Sequence, residues 1–152
     1  MSILFINGSP NKNGNTVRLA EAVLGGKAYD TVNLVDYKLY SYGQQFDDDQ
    51  LDEILAAMGN ADTIIIGSPV YWHNLSGAVR NLLDRLYGAL PYSSSGPLSG
   101  KRLALLYQGA APAQWMMEAG EYSIEKFCEL YGLNYLGMAT TVGEAKRLGS
   151  KI

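Results

Sequence analysis

Four apolar residues, Ile3-Leu4-Phe5-Ile6, run without a break toward a nine-residue polar stretch, Gly8-Ser9-Pro10-Asn11-Lys12-Asn13-Gly14-Asn15-Thr16, and a helical pattern opens behind it at Val17. An unbroken apolar run reads as a strand covered on both faces. The chain therefore starts as buried strand, glycine-bearing loop and helix N-terminus. A strand covered on both sides belongs in a parallel sheet with helices above and below it. The first turn of a helix holds backbone N–H groups with no intrahelical partner, and the helix dipole adds partial positive charge there, so the loop is placed to hold an anion. Ser9, Asn13, Asn15 and Thr16 can donate hydrogen bonds, and Lys12 brings the loop's one positive charge. An ordinary strand-to-helix loop capped by Asn15 or Thr16 needs only two or three polar residues. Almost none of these nine is apolar, which favours a phosphate cradle.

The alternation continues along the chain. A strand over 2–6 is followed by a helix over 16–24, with Val17, Ala20, Val23 and Leu24 on one face and Gly25-Gly26 as its stop. Residues 30–35 form a short strand, and 37–45 (YKLYSYGQQ) show no period and read as loop. Asp47-Asp48-Asp49 precede Leu51, Ile54, Leu55 and Met58 at helical spacing, as helix-capping acids. Ile64-Ile65-Ile66 mark a buried strand over 61–67, and 68–74 (SPVYWHN) a second loop. A strong apolar stripe predicts a helix over 75–90, capped by Asn74 or Ser76. Residues 91–100 are a surface loop, 101–107 a fourth strand, 108–112 a third loop, and 113–131 a helix stopped by Gly132. A fifth strand covers 133–142, and the polar tail from Gly143 is frayed or a short helix.

Five strands alternating with helices predict an α/β, flavodoxin-like three-layer sandwich: one domain over 1–152, with a five-stranded parallel sheet in the order 2-1-3-4-5. Ligands of such sheets sit at the carboxyl ends of the strands, at the switch point between strands 1 and 3. The polar loop and the loops at 68–74 and 108–112 meet there.

Bulk properties narrow the partners. A net charge of −3 gives no basic footprint for nucleic acid or an anionic membrane. No stretch approaches a bilayer span, and the first apolar run is too short and lacks a basic lead for a signal peptide. One cysteine, Cys128, on the apolar side of its helix, forms no disulfide, zinc site or cysteine-held cluster, so a cytoplasmic setting and no metal are expected.

The first loop is neither G-x-G-x-x-G nor Walker A, since Gly14 is followed by Asn15-Thr16. It has no cysteine nucleophile, and no acidic pair follows the first strand. A noncovalently held phosphate remains. Pro69-Val70-Tyr71-Trp72 then place two aromatic residues at the ligand end of the sheet, which favours a wall for a flat ring over simple packing or a subunit contact. Gln108 and Gly109 can bond the ring's polar rim. His73, the sole histidine, is a possible catalytic residue beside them.

Gly8-Ser9-Pro10 through Gly14-Asn15-Thr16, with Ser68-Pro69-Val70-Tyr71-Trp72 and Asp84-Arg85, resemble the NADPH-dependent FMN reductase family, in the branch that includes iron–sulfur flavoproteins. The resemblance implies FMN, with its phosphate on Ser9, Pro10, Asn11, Asn13, Asn15 and Thr16. It places the ring along Pro69, Val70, Tyr71 and Trp72, with Gln108 and Gly109 at the edge. It implies NADPH or NADH as transient co-substrate, ping-pong hydride transfer to a small-molecule acceptor such as a quinone or flavin, and a homodimer or higher homo-oligomer. Two other readings share the fold: a flavodoxin-like electron carrier, and a flavin-free binding module. The sequence departs from the family at Asn11, where a basic residue is common, and in 37–45, which lack the cysteines of iron–sulfur members.

Overall fold

The computed structural model describes residues 1–93 and 95–152. The loop expected over 91–100 includes Ser94, which lies outside the described residues. In chain order the elements are β1 (Ile3–Asn7), α1 (Asn15–Leu24), β2 (Asp30–Asn33) with a 3₁₀ turn at Leu34–Asp36, α2 (Leu51–Asn60), β3 (Thr63–Tyr71), β4 (Asn74–Leu75), α3 (Gly77–Ala89), β5 (Arg102–Gln108), α4 (Gln114–Tyr131), β6 (Asn134–Ala139) and α5 (Val142–Gly149). The parallel strands run in the order β2-β1-β3-β5-β6, and β4 pairs antiparallel with β3. Leaving out β4, this is the expected 2-1-3-4-5.

Strand periodicity sends successive side chains to opposite faces, and so sets the layers. Leu4, Ile6, Ile64, Ile66, Leu103 and Leu105 face α2, α3 and α4, where Ile54, Met58, Val79, Leu82, Leu86 and Ile124 complete one core. Ile3, Phe5, Ile65, Ala104 and Leu106 face α1 and α5 and pack on Leu19, Ala20, Val23, Ala145 and Leu148. Ile64, Ile65 and Ile66 are all fully buried, and each contributes about 1.5–3 kcal/mol. Cys128 is buried in the first core, and desolvation, then Glu125 and Glu129, push its thiol up to about 12. It is packing rather than a nucleophile.

Several boundaries differ from expectation. The second loop is not a loop: β3 runs on through Ser68-Pro69-Val70-Tyr71 and turns back, pairing Val70 with Leu75 and Tyr71 with Asn74. Leu75 is thereby a strand residue, and α3 starts at Gly77 with Ser76 as its cap. Neither Asn15 nor Thr16 caps α1; Gly14 holds that position and offers no side chain. β2 ends at Asn33, where the 3₁₀ turn begins. β6 ends at Ala139, and the tail is a helix closed by a Thr141–Glu144 capping box.

The aspartate triplet caps no helix in the usual way. Gln50 holds the N-cap of α2 without a side-chain bond. Asp49 accepts from the Leu51 N–H and pairs bidentately with Arg85 of α3 at 2.5 and 2.9 Å. Asp48 binds Lys38 and the Tyr40 hydroxyl at 2.7 and 2.8 Å. Asn81 and Arg85 donate to the Leu39 and Tyr40 carbonyls at 2.8 Å each, so the 37–50 segment is strapped to α3. No helix among the described residues is long and apolar enough to cross a membrane.

Candidate functional site

The polar loop leaves β1 at Asn7, a fully buried asparagine that the sequence reading passed over. Its Nδ2 donates to Asn33 Oδ1 on β2 at 3.0 Å, and its Oδ1 accepts from the Ser9 N–H at 3.1 Å. The pattern repeats with the same spacing. Ser9 Oγ accepts from the Asn11 N–H at 3.1 Å, and Asn11 Oδ1 accepts from the Asn13 N–H at 2.9 Å. Side-chain acceptors thus curl the backbone. Asn15 Oδ1 is also engaged, by Arg18 at 3.3 Å. The side-chain oxygens of Ser9, Asn11 and Asn15 accept from neighbouring groups of the loop and α1, which leaves the Ser9 hydroxyl hydrogen and the Asn11 and Asn15 amide groups as donors. A lining of donors favours an anion.

Thr16 adds to this. It stands in the first turn of α1 and is 1% exposed, and its Oγ1 is buried with no hydrogen-bond partner. Leaving such a hydroxyl unpaired costs about 1–3 kcal/mol. The N–H groups of the same turn lack intrahelical acceptors, and Gly14 supplies no capping oxygen. Unsatisfied donors therefore concentrate where the helix dipole is positive.

Close backbone contacts fix the loop against its neighbours. The Gly8 N–H donates to the Gly67 carbonyl of β3 at 2.7 Å. A Cβ on Gly8 would stand 2.2 Å from Val79 Cγ2 and 2.8 Å from the Gly67 oxygen, so only glycine passes there. Ser76 Oγ donates to the Gly8 carbonyl at 2.8 Å, and Ser68 Oγ accepts from the Ser76 N–H at 2.8 Å. Two buried serines thus tie the β3–β4 hairpin to the loop; the sequence pointed to Ser76 only as a helix cap.

Between loop and hairpin lies a cleft of about 370 Å³. Ser9, Asn11, Gly14 and Asn15 form one side. Pro69, Val70 and Tyr71 form another, with Gln108, Gly109 and Ala110 closing the edge. Eight of the twelve binding residues expected from sequence line it. Pro10 lines a neighbouring hollow with Tyr71, Asn13 is exposed, and Thr16 is buried in the first turn of α1. Trp72 is apart from the cleft: it is 93% exposed at the hairpin turn and stacks on His73. His73 also lies outside the cleft, its ring meeting Trp115 edge-on at 5.4 Å. Lys12, the expected charge of the loop, pairs with Asp36 at 2.6 Å on the surface. A different cation, Arg18, lines an adjoining hollow of about 290 Å³ that shares Asn15 and Gln108 with the cleft. Arg18 hid inside the helical pattern, where a basic residue reads as solvated surface.

The family profile for NADPH-dependent FMN reductase matches residues 1–130. The chain belongs to the NADPH-dependent FMN reductase family. An iron-sulfur flavoprotein of Archaeoglobus fulgidus is 37% identical over 99 residues, covering 56% of this chain and 48% of that protein. A second one from the same organism is 26% identical, covering 100% of this chain and 79% of that protein. The chain thus spans about half the length of the first relative. Its only cysteine is Cys128, so the chain carries no cysteine cluster of its own. Among solved structures, the Trp repressor binding protein from Bacillus subtilis superposes with a TM-score of 0.78 at 19% identity, over 97% of this chain and 98% of that one. The apo form of an NADH:FMN oxidoreductase gives 0.67 at 24% identity, over 98% and 84%. These two likenesses show the flavodoxin-like fold. Within this FMN reductase family member, no group of three or more His, Cys, Asp or Glu side chains among the described residues is placed to hold a metal.

Proposed function

We propose that this chain is an FMN-dependent NAD(P)H oxidoreductase that reduces a small acceptor such as a quinone or a flavin. One observation carries the reading. Ser9, Asn11 and Asn15, with free donors, stand at one side of the cleft next to the uncapped first turn of α1, in which the orphaned Thr16 hydroxyl is buried, and Pro69, Val70 and Tyr71 form the other side. A phosphate satisfies the donors, and a planar ring satisfies the wall. A flavin mononucleotide joins both in one molecule. Family membership over 1–130 supports it.

The chain's own residues bind, orient and shield. Thr16, Ser9, Asn11 and Asn15 would hold the phosphate, with the N–H groups of the first helical turn. Pro69, Val70 and Tyr71 would flank the ring, and the Gln108 side chain with the Gly109 backbone would take its polar rim. Ser68 and Ser76 tie the hairpin to the loop and Asn7 ties the loop to β2, which preorganises the cleft. FMN held there would supply two-electron redox chemistry between NAD(P)H and the acceptor, with one further proton from solvent for a quinone. No side-chain acid or base is needed for that exchange, and among the described residues no His, Asp, Glu, Lys or Arg lines the cleft.

Steady-state turnover tests the reading. The purified chain, supplied with FMN, is expected to oxidise NADH or NADPH continuously with naphthoquinone as acceptor. Flavin binding without any such turnover would leave an electron carrier as the better account.

A further inference from the structure

On the far side of the cleft from Arg18 lies another hollow of about 290 Å³, sharing Val70, Gly109 and Ala110 with the cleft. Among the described residues no Lys, Arg, Asp or Glu lines it. Its outer rim is the hairpin turn, a two-residue connection made by Trp72 and His73. Both have positive φ, 46° and 66°, and they are the only non-glycine residues in that region among those described. A turn of this kind is best made by Asn-Gly, and aromatic residues there hold a disfavoured backbone. Trp72 also leaves its indole 93% exposed. The His73 ring stacks on it at 5.6 Å and 18°, and Trp115 at the start of α4 meets His73 edge-on. Strain of this kind collects at ligand sites.

We propose that this hollow is the acceptor subsite, that Trp72 is the specificity-determining residue selecting planar, uncharged rings, and that His73 and Trp115 are positioning residues holding the indole. The inference rests on the reading of the adjoining cleft as the flavin site. The uncharged lining disfavours a dinucleotide's pyrophosphate, whereas Arg18 across the cleft suits an anion. In the exchange, NAD(P)H, a quinone and one proton give NAD(P)⁺ and the hydroquinone. With ferricyanide, one NAD(P)H reduces two ions, each by one electron, and releases one proton.

The test uses the whole chain loaded with FMN, with naphthoquinone as planar neutral acceptor and ferricyanide as bulky anionic one. Trp72→Ala is expected to lower the ratio of kcat/KM for naphthoquinone to that for ferricyanide roughly tenfold, through KM, and Trp72→Phe to restore most of it. An unchanged ratio in a variant that still quenches FMN fluorescence overturns this inference and leaves the flavin reading standing. Failure of the parent chain to quench FMN fluorescence overturns both. A Trp72→Ala chain of smaller mass by light scattering, with both acceptors slowed alike, assigns the indole to a subunit contact and also overturns the inference.

Discussion

Thr16→Val separates binding from stability by sign. The Thr16 hydroxyl is buried and unpartnered, while its Cγ2 packs against Gly67, where an added Cβ would stand 2.4 Å away. Valine keeps that Cγ2 and replaces only the hydroxyl with a methyl. In the flavin-free protein the change removes a desolvated polar group that forms no bond. The expected gain is about 1–2 kcal/mol, or roughly 2–8 °C in Tm for a chain of this size. In the flavin-bound protein the same change deletes a hydrogen bond to a charged phosphate, worth about 1.5–3 kcal/mol. FMN affinity should therefore fall roughly ten- to hundredfold. Thermal melts of the flavin-free protein and fluorescence titration with FMN give the two numbers. A flavin-free protein that melts lower while FMN affinity stays within twofold would refute the argument, because the hydroxyl would then be serving the fold.

Two other perturbations test the frame around the site. Asp49→Asn removes the partner of Arg85, which holds the Asp49 carboxyl down at about 2. Relative to an unfolded value of ~3.9, this pair stabilises the fold by about 2 kcal/mol at neutral pH. Because the folded value is the depressed one, that stability is present above about pH 4 and is lost as pH falls through about 2. Urea midpoints should show a lower stability for Asp49→Asn at pH 7 and a parent–variant gap that closes toward pH 2; a gap independent of pH would contradict the pairing. Gly8→Ala would press a methyl against Val79 and the Gly67 carbonyl, and should destabilise by about 1–3 kcal/mol with weaker FMN binding, measured by melt and titration.

The parts of the fold that follow from periodicity were legible in the sequence. Ile64-Ile65-Ile66 and the stripe through Val79, Leu82 and Leu86 fix a buried central strand and an amphipathic helix, and alternation then fixes the sheet order. The loop at 8–16 was legible as an anion site because its composition departs so far from an ordinary connection. The hairpin was not. Ser68-Pro69-Val70-Tyr71 carry a proline and lie next to polar residues, so local pattern favours a loop, whereas pairing with β5 and β4 decides for strand. Trp72-His73 also lacks the Asn-Gly signature of a two-residue turn. Asn7, Ser68 and Ser76 were hidden for a related reason: each acts through a partner distant in sequence, and a lone buried polar residue carries no period. Lys12 looked like the loop's charge because Asp36, which neutralises it, sits at the end of a different strand unit.

The most direct test of the central claim compares FMN with riboflavin, which has the same ring and no phosphate. Fluorescence quenching should give FMN binding at micromolar concentration and riboflavin binding weaker by roughly a hundredfold, the difference carried by charge-assisted bonds from the 8–16 loop and the first turn of α1. Equal affinity for the two, or no quenching of either, would contradict the assignment of that loop as the phosphate site.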